Sequence, residues 1–173
     1  MGDQQQLEAM AAILQTFSEN SNVLSSEIPL SVLRRLAMLT GGQKPQYVDA
    51  HIFPTDDWHR VSGEVIVMTD NVIIQATLRA TPKDETRAYT VTVGAWARRD
   101  LVSLNITPDE GEGRNPDSSW SESWREWPPQ SFISLNYNVR SISLPLAPDP
   151  SKWSRQQLTS LLPSLLADLS RDK

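Results

Sequence analysis

The 173-residue chain contains no cysteine, only two histidines and only seven glycines. Without cysteine there is no disulfide, no thiolate metal site and no cysteine nucleophile, which favours a reducing compartment such as the cytoplasm. The chain also lacks an excess of basic residues, since its formal net charge is −5. An acidic balance argues against general binding to nucleic acid or to anionic lipid, because both attract basic surfaces.

Sequence motifs of common enzymes are missing as well. The sequence lacks the G-x-S-x-G elbow of serine hydrolases. It also lacks the G-x-G-x-x-G and G-x-x-x-x-G-K-[ST] motifs of phosphate-binding loops. The first residues have neither the basic start nor the continuous apolar run of a secretory signal, and no apolar run is long enough to span a membrane. We therefore expect a soluble, cytoplasmic, non-catalytic protein without a cofactor.

What the chain does contain is β-type sequence. From Arg60 to Ile106, β-branched and aromatic residues dominate, and Gly, Pro and Asp occur mainly between the runs. A shorter run of the same kind precedes them at 47–53. Asp70-Asn71 suits a tight hairpin turn, because both residue types tolerate positive φ. Consecutive strands joined by short turns predict an antiparallel meander.

The sequence of residues 1–45 predicts a helical segment that packs on the rest of the protein. A second helix is expected from about Ser26, with Pro29 in its first turn and Gly41-Gly42 after its end. Apolar residues at three- and four-residue spacing define the expected buried faces. In the first helix they are Leu7, Met10, Ala11, Ile13, Leu14 and Phe17, and in the second Leu30, Leu33, Leu36 and Ala37.

Residues 46–173 are predicted to form one antiparallel β-sheet or barrel with a long loop and a C-terminal helix. The loop, 108–130, holds six acidic residues and two arginines among many Pro, Gly and Ser residues, which is typical of an insertion. Two further strands follow, and their apolar alternation changes parity near Arg140, so a turn or bulge is expected there. The helix should cover 150–170, with a kink or break at Pro163.

The segments SGEVIVMTDNVIIQATL and AYTVTVGAWARRDLVSLNI, followed by the final helix, resemble bacterial pleckstrin-homology-like (PH-like) domains. The resemblance covers residues 58–170 and leaves out the N-terminal helices and the loop at 108–130. It implies an α+β fold in which the meander closes into a partly open barrel capped by the C-terminal helix. It also implies a binding module, although the basic loop that phosphoinositides require is missing.

A possible metal cluster lies in the segment HIFPTDDWH. His51 and His59 flank Asp56 and Asp57, and these residue types bind metal at short spacing. The histidines are eight residues apart, however, and no helical H-x-x-x-H pattern brings them together. We therefore predict a polar loop without a metal ion.

Three tryptophans in the acidic loop are the clearest candidate contact residues. Trp120, Trp124 and Trp127 are spaced by four and three residues, which would place them on one face of a short helix, with Arg125 on another face. They could cover the barrel as a buried lid, because large aromatic residues favour burial. They could instead form a partner-binding surface, because Trp and Arg are frequent interface anchors.

A second candidate contact is the corner formed by Trp96, Arg98 and Arg99. Paired arginines beside a tryptophan can bind phosphate or carboxylate. Alternatively, both arginines are solvated charges at a strand end.

Three functions remain open from the sequence. The first is a non-catalytic protein-binding or adaptor module on a β-barrel scaffold. The second is an assembly protein that binds a partner or a second copy through its N-terminal helices. The third is a ligand carrier or small enzyme with a pocket between sheet and helix, lined by polar groups such as His59 or Tyr137.

Overall fold

A computed structural model describes residues 3–20, 28–55, 60–83, 85–108, 131–138, 140–147 and 152–170. In chain order, its helices are α1 (Asp3–Asn20), α2 (Leu30–Leu39) and α3 (Lys152–Ser170). Its strands are β1 (Tyr47–Pro54), β2 (Val61–Met68), β3 (Val72–Ala80), β4 (Tyr89–Ala97), β5 (Leu101–Pro108), β6 (Ser131–Tyr137) and β7 (Arg140–Leu144). The described part of the chain is therefore α+β, as the sequence predicts.

The strands form two antiparallel sheets instead of one closed barrel. The first sheet has the order β1-β2-β3-β4 and the second has the order β5-β6-β7, with no pairing between them in the described residues. A short 3₁₀ turn, Arg98–Asp100, separates β4 from β5 and directs the chain from one sheet to the other. The expectation that the meander closes into a barrel is therefore not met, because this turn interrupts strand pairing.

Two separate apolar cores lie on opposite faces of the four-stranded sheet. Residues such as Val67 and Ile74 face α1 and α2, whereas Ile66 and Ile73 face the three-stranded sheet and α3. Strand alternation sends successive side chains to opposite faces, so a sheet covered on both sides needs apolar residues at consecutive positions. The run VIVM at the end of β2 satisfies this requirement.

The buried faces of the N-terminal helices differ from the predicted ones. Leu7 and Leu14 of α1 are 64% and 44% exposed, while Ala9, Met10 and Ile13 are buried. In α2, Leu30 is exposed and Val32 takes a buried position instead. The predicted stripe was correct at Met10 and Ile13 and wrong at Leu7 and Leu14, because α1 carries apolar residues on more than one face and only the packing against α2 and β1 selects the buried one.

The predicted turns are largely confirmed. Asp70 and Asn71 connect β2 to β3, and the Thr69 amide donates to the Val72 carbonyl across the turn at 2.9 Å. Tyr137 at the end of β6 pairs with Arg140 at the start of β7, and this close connection accounts for the change of parity. Pro29 precedes α2 as its N-cap residue instead of lying in its first turn. Pro163 lies inside α3, which continues across it as one helix.

None of the described helices combines the length and the apolar character needed to cross a membrane.

Candidate functional site

Strand β7 crosses over the four-stranded sheet and forms a cleft with it. At one end, the Arg140 guanidinium lies 5.2 Å from the ring centroid of Trp96 on β4. At the other end, the Leu146 amide donates to Asp49 Oδ2 on β1 at 2.7 Å. The segment from Arg140 to Leu146 therefore spans all four strands, a width of roughly 14 Å at about 4.8 Å per strand spacing.

The cleft lies where the cover of the sheet ends. In β2, the residues from Val65 to Met68 are buried, whereas those from Val61 to Glu64 are only half-buried. Within the described residues, the second sheet and α3 thus cover one half of the face and leave the other half open. The cleft between them has a volume of about 450 Å³.

Three polar side chains from neighbouring strands form the floor of the cleft. His51 of β1 is paired in register with Glu64 of β2, and Gln75 of β3 lies diagonally beside Glu64. Gln75 Nε2 donates to Glu64 Oε2 at 3.0 Å. The His51 ring is 5.2 Å from the ring of Phe53, in a tilted arrangement.

Trp96 lies beside the cleft residue Arg140, and a glycine lies beneath its ring. A Cβ atom at Gly94 would lie only 2.8 Å from the Trp96 indole, so the ring rests directly on the strand backbone. Arg140 lies over the indole ring at a distance that allows a cation–π interaction. Trp96 is thus half-buried between β4 and β7 and does not project from the corner.

The edge of β7 forms the wall of the cleft. Only two residues separate Tyr137 from Arg140, so these paired residues must exchange backbone hydrogen bonds with each other. By alternation, Ile142 and Leu144 also bond to β6, whereas Ser141 and Ser143 direct their N–H and C=O groups away from it. No other backbone hydrogen bond to these two serines forms within the described residues.

Asp49 fixes the position of the wall. Its Oδ2 accepts hydrogen bonds from the Leu146 amide at 2.7 Å and from the Tyr47 hydroxyl at 3.0 Å. Burial raises the pKa of Asp49, and the hydrogen bonds oppose this effect only in part. Burial, together with the Asp49 charge, also raises the pKa of Tyr47. Asp49 is therefore a buried link between β1 and the segment that follows β7.

Among the predicted contact residues, Arg98 lies in the interior. It is 1% exposed, and Asp168 of α3, the Thr69 carbonyl and Gln46 Oε1 accept its hydrogen bonds at 2.8, 2.9 and 3.0 Å. Its guanidinium also bonds to Ser164 Oγ. Arg98 thus joins the two sheets to α3, and neither sequence interpretation anticipated its burial. Arg99 is exposed.

The predicted polar pocket between sheet and helix takes a different form. Tyr137 is buried in the second core, its hydroxyl has no partner in the described structure, and burial raises its pKa well above the ordinary value. His59, Asp56 and Asp57 lie outside the described residues. Among the described residues, no three His, Asp or Glu side chains come close enough to hold a metal ion.

Trp120, Trp124, Arg125 and Trp127 also lie outside the described residues, so their role stays a prediction. The sequence interpretation missed Glu64, Gln75 and Arg140. A usable signal was present: Glu64 and Gln75 each interrupt an apolar strand run, which places a polar group on a face that is otherwise buried. Their contact with β7 depends on how the sheets cross, which the strand pattern does not contain.

Comparison with known proteins finds no family model that matches this chain and no curated protein that matches it.

Proposed function

We propose that this chain is a non-catalytic protein-binding module of the adaptor type, and that it binds a short extended segment of a partner protein in the cleft beside β7. The observation that carries the proposal is the edge of β7, which pairs with no strand of the described structure and lies alongside a polar floor. The proposal is independent of the PH-like resemblance.

An extended peptide fits this arrangement for a physical reason. Peptides bind sheet edges by adding a strand, so the main chain supplies affinity and alternate side chains enter neighbouring pockets. The outward N–H and C=O groups of Ser141 and Ser143 offer the main-chain contacts. His51, Glu64 and Gln75 lie beneath the same edge and offer the side-chain contacts. A cleft of about 450 Å³ accommodates a few side chains.

The cleft side chains favour binding over catalysis. Ser141 Oγ donates to Asn136 Oδ1 at 2.8 Å on the outer face of the second sheet, so it forms no nucleophile–base pair with His51. Glu64 and Gln75 bond to each other and form a recognition surface with fixed geometry.

Selection of random heptapeptides displayed on phage, followed by NMR titration of the ¹⁵N-labelled chain, tests the proposal. We expect the amides of Ser141 and Ser143 to shift on addition of a selected peptide. The edge of β4 provides a matched control. Hydrogen bonds at Ala88 and Arg98 connect even-numbered positions to β3, so Val93 and Ala95 also direct their amides outward. Shifts confined to the β4 edge, or no selected peptide, would refute the proposal.

Self-association through α1 is a second candidate, favoured by the exposure of Leu7 and Leu14. These residues are seven positions apart, which places them on one face of the helix, two turns from each other. A second copy could cover this face symmetrically. Light scattering should then give a dimer mass that Leu7→Ser with Leu14→Ser reduces to the monomer mass. A monomer in the unsubstituted chain at high concentration excludes this function.

A further inference from the structure

Gln75 has an unsatisfied hydrogen-bond acceptor in the floor of the cleft. The residue is 4% exposed, and its Oε1 atom has no hydrogen-bond partner in the described structure. An ionised carboxylate can accept hydrogen bonds but cannot donate one. The Gln75 amide must therefore direct Nε2, and not Oε1, toward Glu64. A buried acceptor without a partner is costly. This position therefore favours a ligand that brings an N–H donor.

Glu64 adds a negative charge at the same place. One of its oxygens accepts from Gln75, which leaves further acceptor capacity on the carboxylate. No described lysine or arginine forms an ion pair with Glu64. Glu64 and Gln75 together thus form an acceptor pair suited to a basic side chain, since an ammonium or guanidinium group supplies both a positive charge and N–H donors.

Arg140 provides a positive charge in the cleft, opposite the acceptor pair of Glu64 and Gln75. Its guanidinium lies over Trp96, which rests on Gly94, and no described carboxylate forms an ion pair with it. Stacking on an aromatic ring uses the face of the guanidinium and leaves its in-plane N–H groups available. Those N–H groups are suited to a carboxylate.

The distance between Arg140 and Glu64 matches the spacing of side chains along an extended peptide. Arg140 lies over the Trp96 ring, which rests on Gly94 of β4, and Gly94 is in register with Gln75 of β3 and Ile66 of β2. Glu64 lies two residues along β2 from Ile66, so two strand spacings and two residues, together roughly 12 Å, separate the positions of Arg140 and Glu64. Side chains two residues apart in an extended chain point to the same face and start about 7 Å apart, and their length covers the remaining distance. Because β7 runs in the direction from β4 to β1, a peptide paired with its edge passes both Arg140 and the Glu64–Gln75 pair.

We propose that the cleft selects a peptide that carries a basic residue two positions from an acidic residue. The basic side chain binds Glu64 and Gln75, and the acidic side chain binds Arg140 beside Trp96. This inference rests on the proposed function, since it names the partner chemistry of the same cleft.

Selection of random heptapeptides on the unsubstituted chain and on two variants tests the inference. On the unsubstituted chain we expect enrichment of Lys or Arg two positions from Asp or Glu. The variant Glu64→Gln should lose the preference for the basic residue alone, and Arg140→Gln should lose the preference for the acidic residue alone. Glu85→Gln and Arg34→Gln, which change exposed charges outside the cleft, should leave both preferences unchanged.

Peptide variants provide a second measurement, and its first comparison uses the unsubstituted chain only. Replacing the basic residue of the selected peptide by Met should weaken binding to the unsubstituted chain about tenfold, which corresponds to about 1.4 kcal/mol. The same replacement should have no effect on binding to Glu64→Gln.

The outcomes separate the two proposals. Selected peptides that shift the Ser141 and Ser143 amides but show no paired charge preference would overturn this inference and leave the proposed function standing. Failure to select any peptide would overturn both.

Discussion

The Arg98 guanidinium places two nitrogens against one carboxylate oxygen of Asp168, with Nε at 2.8 Å and Nη2 at 2.6 Å. The two side chains are 1% and 2% exposed. Arg98 belongs to the turn between the sheets, and Asp168 belongs to α3, so the pair joins three layers of the protein in its interior.

Removal of one partner of this pair should destabilise the protein strongly. Asp168→Asn leaves the Arg98 charge buried without its counter-charge, and we expect the free energy of unfolding to fall by about 3–5 kcal/mol in urea melts. The double variant Arg98→Met with Asp168→Leu should recover much of this loss, because no buried charge remains. A loss below about 1 kcal/mol for Asp168→Asn would show that the pair is not buried as described.

Gly63 should tolerate no side chain. Its φ is +148°, and a Cβ atom there would lie 2.1 Å from the His51 carbonyl oxygen of the paired strand. Backbone atoms cannot move aside without breaking the β1–β2 pairing, so Gly63→Ala should cost more than about 4 kcal/mol. Gly42 is a matched control, since it also has positive φ but no atom within 4 Å of its Cβ position. Gly42→Ala should cost about 1–2 kcal/mol from backbone strain alone.

Two adjacent leucines test the packing of α3. Leu165 is fully buried in the second core, whereas Leu166 is 50% exposed. Leu165→Ala should lower the free energy of unfolding by about 2–5 kcal/mol, because it removes buried apolar contacts and leaves a cavity. Leu166→Ala should change it by about 0.5 kcal/mol or less. Equal effects in denaturant melts would contradict the described orientation of the helix.

Stability should decrease as pH rises through the titration of Asp49. Burial raises the folded-state pKa of Asp49 above its ordinary value of 3.8. Between these two pKa values, the folded protein holds a proton that the unfolded chain has released, so a rise in pH favours unfolding. This contribution to stability is fully present below pH 3.8 and is lost as pH passes the raised pKa.

The substitution Asp49→Asn isolates this effect. The Asn side-chain oxygen can still accept from the Leu146 amide and from the Tyr47 hydroxyl, but it cannot ionise. We expect the stability difference between the variant and the unsubstituted chain to shift in favour of the variant with rising pH, in urea melts from pH 3 to 7. A difference that is constant across this range would mean that Asp49 titrates alike in both states.

The sequence by itself determined the secondary structure of most described segments. Runs of β-branched and aromatic residues predicted the strand segments, and Asp70-Asn71 and the change of parity near Arg140 predicted two of the turns, because residue composition and turn chemistry are local properties of the chain. Because the chain has no cysteine, packing and polar contacts stabilise its fold without disulfides.

Only the tertiary structure decided which apolar residues are buried and where polar groups meet. Leu14 fits a helical stripe as well as Ile13 does, and the choice between them depends on the surface that α1 covers. The cleft depends on the crossing of β7 over the first sheet, which brings Arg140 close to residues distant in sequence. Strand periodicity defines two faces for each strand. The angle between the packed sheets, and the elements that pack on each face, depend on packing throughout the core.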